Sequence, residues 1–139
     1  HLAADDGLLI GVDLKKDPTI LNAAYNDAAG VTAAFNRNLL ARCNRELGAD
    51  FDPAAFEHLA FYNEAAGRIE MHLESTCEQA VHVGGRRFTF ARGETIHTEN
   101  SYKYQPDEFR HLATQAGFEP LRTWTDAQHL FGVLYLRRR

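Results

Sequence analysis

The chain has 139 residues, of which 45% are hydrophobic and 24% charged, and it carries a net charge of −4. That length suits one compact domain or a large piece of a bigger one, and the composition excludes a disordered tail. The weak negative charge supplies no global field for nucleic acid or acidic lipid, and Arg137-Arg138-Arg139 reads as a solvated basic end.

Leu8 to Val12 is a short apolar run ending at Asp13. It shows no alternation, which predicts a strand covered on both faces, as in a parallel α/β sheet. Ligands of such sheets sit beyond the carboxyl ends of the strands, where Asp13 lies. Asp13 as a ligand contact and Asp13 as a turn former are both open readings. Asp17-Pro18 signals a helix start. Ile20, Ala24, Val31, Phe35, Leu39 and Cys43 then recur at helical spacing, with Gly30 as a bend or break and Gly48 as the stop. Asp52-Pro53 repeats the start signal and predicts a shorter helix through about Ala60.

From Gly67 the period becomes two. Ile69, Met71, Leu73, Ser75 and Cys77 point one way, and Glu70, His72 and Glu74 the other. Gly84-Gly85, between Val81/Val83 and Phe88/Phe90, marks a hairpin. The polar stretch Thr95 to Lys103 follows as a further extended segment. Pro106-Asp107-Glu108 opens a helix that Gly117 ends, and Leu121–Thr125 and Leu130–Leu136 close the chain as strands. The economical layout has residues 1–16 and 105–139 as pieces of one α/β sheet and 17–104 as an inserted helix-plus-sheet module.

No apolar run approaches the roughly 20 residues needed to cross a bilayer, and no signal-peptide pattern appears. The apolar run begins almost at once after His1, so the chain is expected to continue upstream. Cys43 and Cys77 are too few for a disulfide framework and are expected to be buried free thiols in a reducing cytoplasm. The histidines at 1, 58, 72, 82, 97, 111 and 129 form no i, i+4 zinc pair, so spacing predicts no metal site. Neither cysteine is expected to be a nucleophile. There is no G-x-S-x-G, P-loop or G-x-G-x-x-G pattern.

If Thr95 to Lys103 is extended, His97, Glu99, Ser101 and Lys103 share a face. Glu99 and Ser101 then lie about 7 Å apart, one a charged acceptor and the other a hydroxyl, a pair suited to a flat ring with two nitrogens. An edge strand decorated with polar groups is the simpler alternative. Tyr25, on a helix face with Ala28, Ala29 and Thr32, offers a phenol beside a shallow groove, or else a boundary tyrosine packed over alanines. Met71 reads as a core residue.

Four stretches, "LLIGVDLKKD", "AAYNDAAGVTAAFNRNLLARCNRELGADFD", "RIEMHL" and "TENSYKY", resemble the histidine-specific, S-adenosylmethionine-dependent methyltransferases of ergothioneine biosynthesis. The resemblance runs in order across essentially the whole chain and matches the carboxyl-terminal portion of the family's longer chain. It implies a partial Rossmann-like α/β methyltransferase core carrying an inserted substrate domain of helices and antiparallel sheet. The implied activity is transfer of three methyl groups from S-adenosyl-L-methionine to the α-amine of L-histidine, giving hercynine. By the same resemblance Tyr25 contacts the substrate carboxylate, Glu99 and Ser101 hold the imidazole, and Met71 lines its pocket. None of these is a nucleophile or general base. Cofactor contacts are expected upstream of His1. The full-length enzyme is expected to be a cytoplasmic monomer, with the fragment open to self-association. A non-catalytic amino-acid-binding module and an interaction domain working through its sheet edge are the alternatives from other classes.

Overall fold

The computed structural model describes residue 3 and residues 6–139. In chain order the elements are β1 (Gly7–Asp13), α1 (Pro18–Tyr25), α2 (Val31–Leu47), a 3₁₀ turn (Pro53–Ala55), β2 (Phe56–Asn63), β3 (Arg68–Ser75), β4 (Gln79–Val83), β5 (Arg86–Phe90), β6 (Thr95–Tyr102), α3 (Pro106–Gln115), β7 (Phe118–Thr125) and β8 (Phe131–Arg138). They fall into two compact units. The first comprises the residues up to Asp17 with Ala65–Gly67 and Tyr102–Arg139, and the second comprises Pro18–Glu64 with Arg68–Ser101. The architecture is mixed α/β with antiparallel sheets.

In the first unit the sheet order is β1-β8-β7. β1 pairs antiparallel with β8, Leu8 opposite Leu136 and Val12 opposite Gly132, and parallel pairing is confined to a bridge between Leu14 and Tyr104 just past its end. Nor are both faces covered. Burial alternates along β1, Val12 facing the core and Leu9 left 66% exposed. The alternation is hidden in the sequence because two outward positions are glycines. A Cβ on Gly7 would come within 2.7 Å of the Tyr135 ring, and one on Gly11 within 2.6 Å of the Phe131 ring. The core of this unit is Val12, Leu14, Ala113, Leu134 and Leu136, with Tyr104, Phe109 and Phe118 packed against it. α3 opens on a capping box: Gln105 donates its backbone N–H to Glu108, and the Gln105 side chain accepts from the backbone at Glu108.

The second unit holds the sheet β2-β3-β6 and the hairpin β4-β5. Gly84 and Gly85 both have positive φ, 56° and 77°, as a tight two-residue hairpin turn requires. The predicted helix over 52–60 is instead a single 3₁₀ turn followed by a strand. Asp52 does cap, accepting from Ala54 N at 2.9 Å, but the turn ends at Ala55 and β2 pairs with β3 over its whole length. In that register Phe56, Ala60 and Tyr62 share one face with Ser75, Met71 and Ile69. Two core clusters lie between this face and the helices: Leu21, Ala60, Ile69 and Met71, then Leu40, Phe56 and Leu73. Each fully buried large side chain here contributes about 1.5–3 kcal/mol. Cys43 is half-buried, but Cys77 is exposed, so the expectation of two buried thiols fails at Cys77, which lies just past the end of β3.

α2 begins after Gly30, whose φ is 70°. Its first free amides are met from further back: Asp27 accepts from Val31 N at 2.8 Å and from Thr32 N at 2.9 Å. Gly48, with φ 61°, ends the helix in the left-handed conformation and returns its N–H to the Cys43 carbonyl.

Candidate functional site

α1 ends at Tyr25, and the phenol reaches across to β6, where its hydroxyl donates to Ser101 Oγ at 2.8 Å. Beneath it the ring packs on the cluster containing Met71, whose side chain is buried. The backbone at this point is held by His58, whose Nε2 lies 2.8 Å from the Tyr25 carbonyl and whose Nδ1 lies 3.0 Å from Asn36 Nδ2. Asn36, buried on α2, also donates to the His72 carbonyl at 2.9 Å, and its Oδ1 accepts from Thr98 Oγ1 at 2.7 Å. Thr98 Oγ1 in turn lies 3.0 Å from the Met71 carbonyl. α1, α2, β2, β3 and β6 are thus tied together by one chain of side-chain hydrogen bonds. The sequence reading missed Asn36, His58 and Thr98. Asn36 sits among the apolar positions of α2, and a buried amide there signals a polar network.

Along β6 the half-buried positions are Ile96 and Thr98, then Glu99 and Ser101. The period of two shifts between Thr98 and Glu99, so His97 does not follow the face of Ser101. His97 stacks on His72 instead, ring centroids 4.4 Å apart. Lys103 departs as well: it lies in the other compact unit, buried, with Nζ 2.8 Å from Asp13 Oδ2.

Glu99 lines a groove of about 160 Å³ with Phe35, Asn36, Asn38, Leu39, Arg42 and Thr98. The Glu99 carboxylate is half-buried and makes no hydrogen bond or ion pair among the described residues, whereas the groove's other charged group, Arg42, is engaged by Glu46 at 2.9 Å. A cavity of roughly 150 Å³ accepts benzene, so a five-membered ring fits this volume. The groove therefore combines one open carboxylate with an apolar wall from Phe35 and Leu39, and the Tyr25–Ser101 hydroxyl pair lies two residues further along β6, outside that lining.

Asp13 is not free to take a ligand. Its Oδ2 is held by Lys103 and its Oδ1 by Lys16 at 2.5 Å. Burial pushes its carboxyl up, but the hydrogen bonds to the two ammonium groups outweigh that and hold it below the usual aspartate range. Its contact with Lys16, three residues on, lies in the turn between β1 and α1, in keeping with the turn-opening alternative.

The family model for histidine-specific, S-adenosylmethionine-dependent methyltransferases matches residues 1–138. The chain belongs to that family. It is 48% identical over 134 residues to a histidine N-alpha-methyltransferase of Mycolicibacterium smegmatis, covering 95% of this chain and 42% of that protein. It is equally, 48%, identical over 130 residues to the histidine N-alpha-methyltransferase of Mycobacterium tuberculosis, covering 92% of this chain and 40% of that one. An L-tryptophan methyltransferase of Psilocybe serbica is 30% identical over 136 residues, covering 95% of this chain and 37% of that protein. The methyltransferase segment described here thus spans about two-fifths of the length of the histidine methyltransferases it matches.

The family's cofactor is S-adenosylmethionine. Recognition of its ribose diol calls for an acidic acceptor with open lone pairs, and the strand-end acid of this segment has both oxygens taken by lysines. Asp13 in this state does not supply that acceptor. No helix is long and apolar enough to cross a membrane among the described residues.

Proposed function

We propose that this chain is the substrate-recognising carboxyl-terminal part of a histidine Nα-methyltransferase that makes hercynine for ergothioneine biosynthesis. The carrying observation is the open, half-buried carboxylate of Glu99, two residues from Ser101, in a groove of ring size. In this reading Glu99 accepts an imidazole N–H, and Ser101 serves the second ring nitrogen by donating or accepting. Tyr25 donates to the substrate carboxylate, and Met71 forms the floor beneath. Tyr25 and Ser101 satisfy each other as the structure stands. Substrate binding exchanges that bond for one from each hydroxyl to the ligand, so neither group is left unpaired in either state.

Methyl transfer from a sulfonium to an amine is an in-line displacement that needs a neutral amine aimed at the methyl carbon. Holding the amino acid at both ends supplies that aim, and positioning of this kind is worth roughly 7–11 kcal/mol. No residue of the segment is required as nucleophile or base. The core fold in this reading is Rossmann-like, with the Pro18–Ser101 region as its inserted substrate domain, and the whole enzyme is a cytoplasmic monomer.

The test is Glu99→Ala in the whole enzyme. The expected result is a rise of about 10²–10⁴-fold in the KM for histidine, with unchanged affinity for S-adenosylhomocysteine. Unaltered use of histidine would refute the assignment. Calorimetry with histidine, with and without S-adenosylhomocysteine, separates the enzyme from a simple binding module.

A further inference from the structure

On the face of β3 turned away from Met71, three rings form a ladder across the sheet. Phe61 of β2 stacks on His72 of β3 at 5.5 Å, and His72 stacks on His97 of β6 at 4.4 Å. Beside them lies Glu70, buried, with one oxygen fully committed: Oε1 accepts from Asn63 at 3.0 Å and from Arg68 Nη2 at 2.8 Å. Its Oε2 faces His72 Nε2 at 3.4 Å. Each of Glu70, His72 and His97 offers one donor atom, and the three atoms lie within 4.8 Å of one another.

We propose that Glu70, His72 and His97 form a binding site for a borderline-soft divalent cation of the Zn²⁺ type. The distance between Glu70 and His72 carries the argument. At 3.4 Å it is longer than a firm N–H···O hydrogen bond. It equals the separation of about 3.4 Å that two donors have across a tetrahedral ion bound at about 2.1 Å. The other nitrogen of His72 is buried and has no hydrogen-bond partner among the described residues, so the outlet of this ring is its Nε2 edge. His97 stacks nearly parallel on His72, 17° between the ring planes, and its Nε2 is bonded to Asn100 at 2.8 Å, so as third ligand the exposed ring leaves both contacts and swings its free edge toward Glu70. Two imidazoles favour zinc, nickel or copper over the oxygen-seeking magnesium and calcium. Arg68 neutralises Glu70, so no excess negative charge draws the ion, and the affinity is weaker than that of a structural zinc centre. Three protein ligands leave a fourth position for water.

The metal-free chain is titrated with Zn²⁺ by calorimetry, with Mg²⁺ as the comparison ion. The expected result is one saturable Zn²⁺ site per chain, no heat with Mg²⁺, and a thermal stabilisation by Zn²⁺ that saturates with the same midpoint. His97→Ala changes an exposed side chain and should leave the fold intact. It should weaken Zn²⁺ by at least about tenfold, whereas His82→Ala, at the surface His82–Asp50 pair, should leave the affinity unchanged. Absence of a saturable site, or a site that survives His97→Ala, overturns the proposal.

Discussion

Tyr25 Oη donates to Ser101 Oγ across 2.8 Å and so joins the end of α1 to β6, 76 residues further along the chain. A bond of this kind between neutral hydroxyls contributes about 0.5–1.5 kcal/mol net. Tyr25→Phe and Ser101→Ala are each expected to cost about 1 kcal/mol in denaturant unfolding. The double variant should cost less than their sum, with a coupling of about 0.5–1 kcal/mol. Strict additivity would show that the contact is incidental. In the whole enzyme, Tyr25→Phe should also raise the KM for histidine, because the phenol is the proposed carboxylate donor.

The N-terminus of α2 hangs on Asp27, and the consequence is a pH dependence. The backbone N–H of Thr32, then its hydroxyl and the N–H of Val31, hold the Asp27 carboxyl down to about 2. A carboxyl whose folded pKa is depressed contributes stability that is fully present above its unfolded value, near 3.8. That contribution is lost as the pH falls toward 2. Carbon-detected titration of the aspartate side chains should find Asp27 titrating near that value. Asp27→Ala should remove it and flatten the acid limb of the stability curve. The variant should also fray the first turn of α2, because the amides of Val31 and Thr32 lose their acceptor.

Which parts of this structure were legible in the sequence depends on whether local signals and tertiary pairing agreed. They agreed at Gly84-Gly85, where only glycine meets two positive φ angles cheaply, and at Gly48, which stops α2. They disagreed after Asp52-Pro53. The capping signal was genuine, yet it served one 3₁₀ turn, because Phe56 to Asn63 gains a full antiparallel partner in β3. β1 misled for another reason: with Gly7 and Gly11 on its outer face, a half-covered strand looks like a fully buried one. At the site, the residue types could be read but the shift of phase between Thr98 and Glu99 could not. That shift sends His97 to the Glu70/His72 face. It also explains why a histidine cluster spread over two strands escapes any test based on spacing along one helix.

The strand reading of residues 56–63 has its own check. Phe56 is buried among Leu40 and Leu73 and meets Phe51 and Phe90 edge-on, whereas Phe61, on the other face, is 37% exposed. Phe56→Ala should cost about 3–5 kcal/mol, measured by chemical denaturation. Phe61→Ala should cost about 1 kcal/mol, mostly its stacking on His72. Equal losses at the two positions would contradict the alternation.

In the first unit Lys103 is paired with Asp13. The Lys103 side chain is 1% exposed and its ammonium lies 2.8 Å from a carboxylate that is 33% exposed. Two opposing terms decide its worth. Removing both charges from water is expensive, so the pair adds little over a well-packed apolar pair, whereas removing one partner leaves the buried ammonium short of its counter-charge. Asp13→Ala should therefore cost about 3 kcal/mol, the low end for a buried pair because the carboxylate keeps some solvent contact. Asp13→Ala combined with Lys103→Met should recover most of that loss. The pH dependence has the same sign as at Asp27. The Asp13 carboxyl is held below its ordinary value, so its contribution is present above that value and disappears as acid protonates it in the folded state. Thermal melts of the two variants across the acid range should show the wild-type advantage over Asp13→Ala shrinking below about pH 4. A double variant no more stable than Asp13→Ala alone would mean that Lys103 does more than neutralise this one carboxylate.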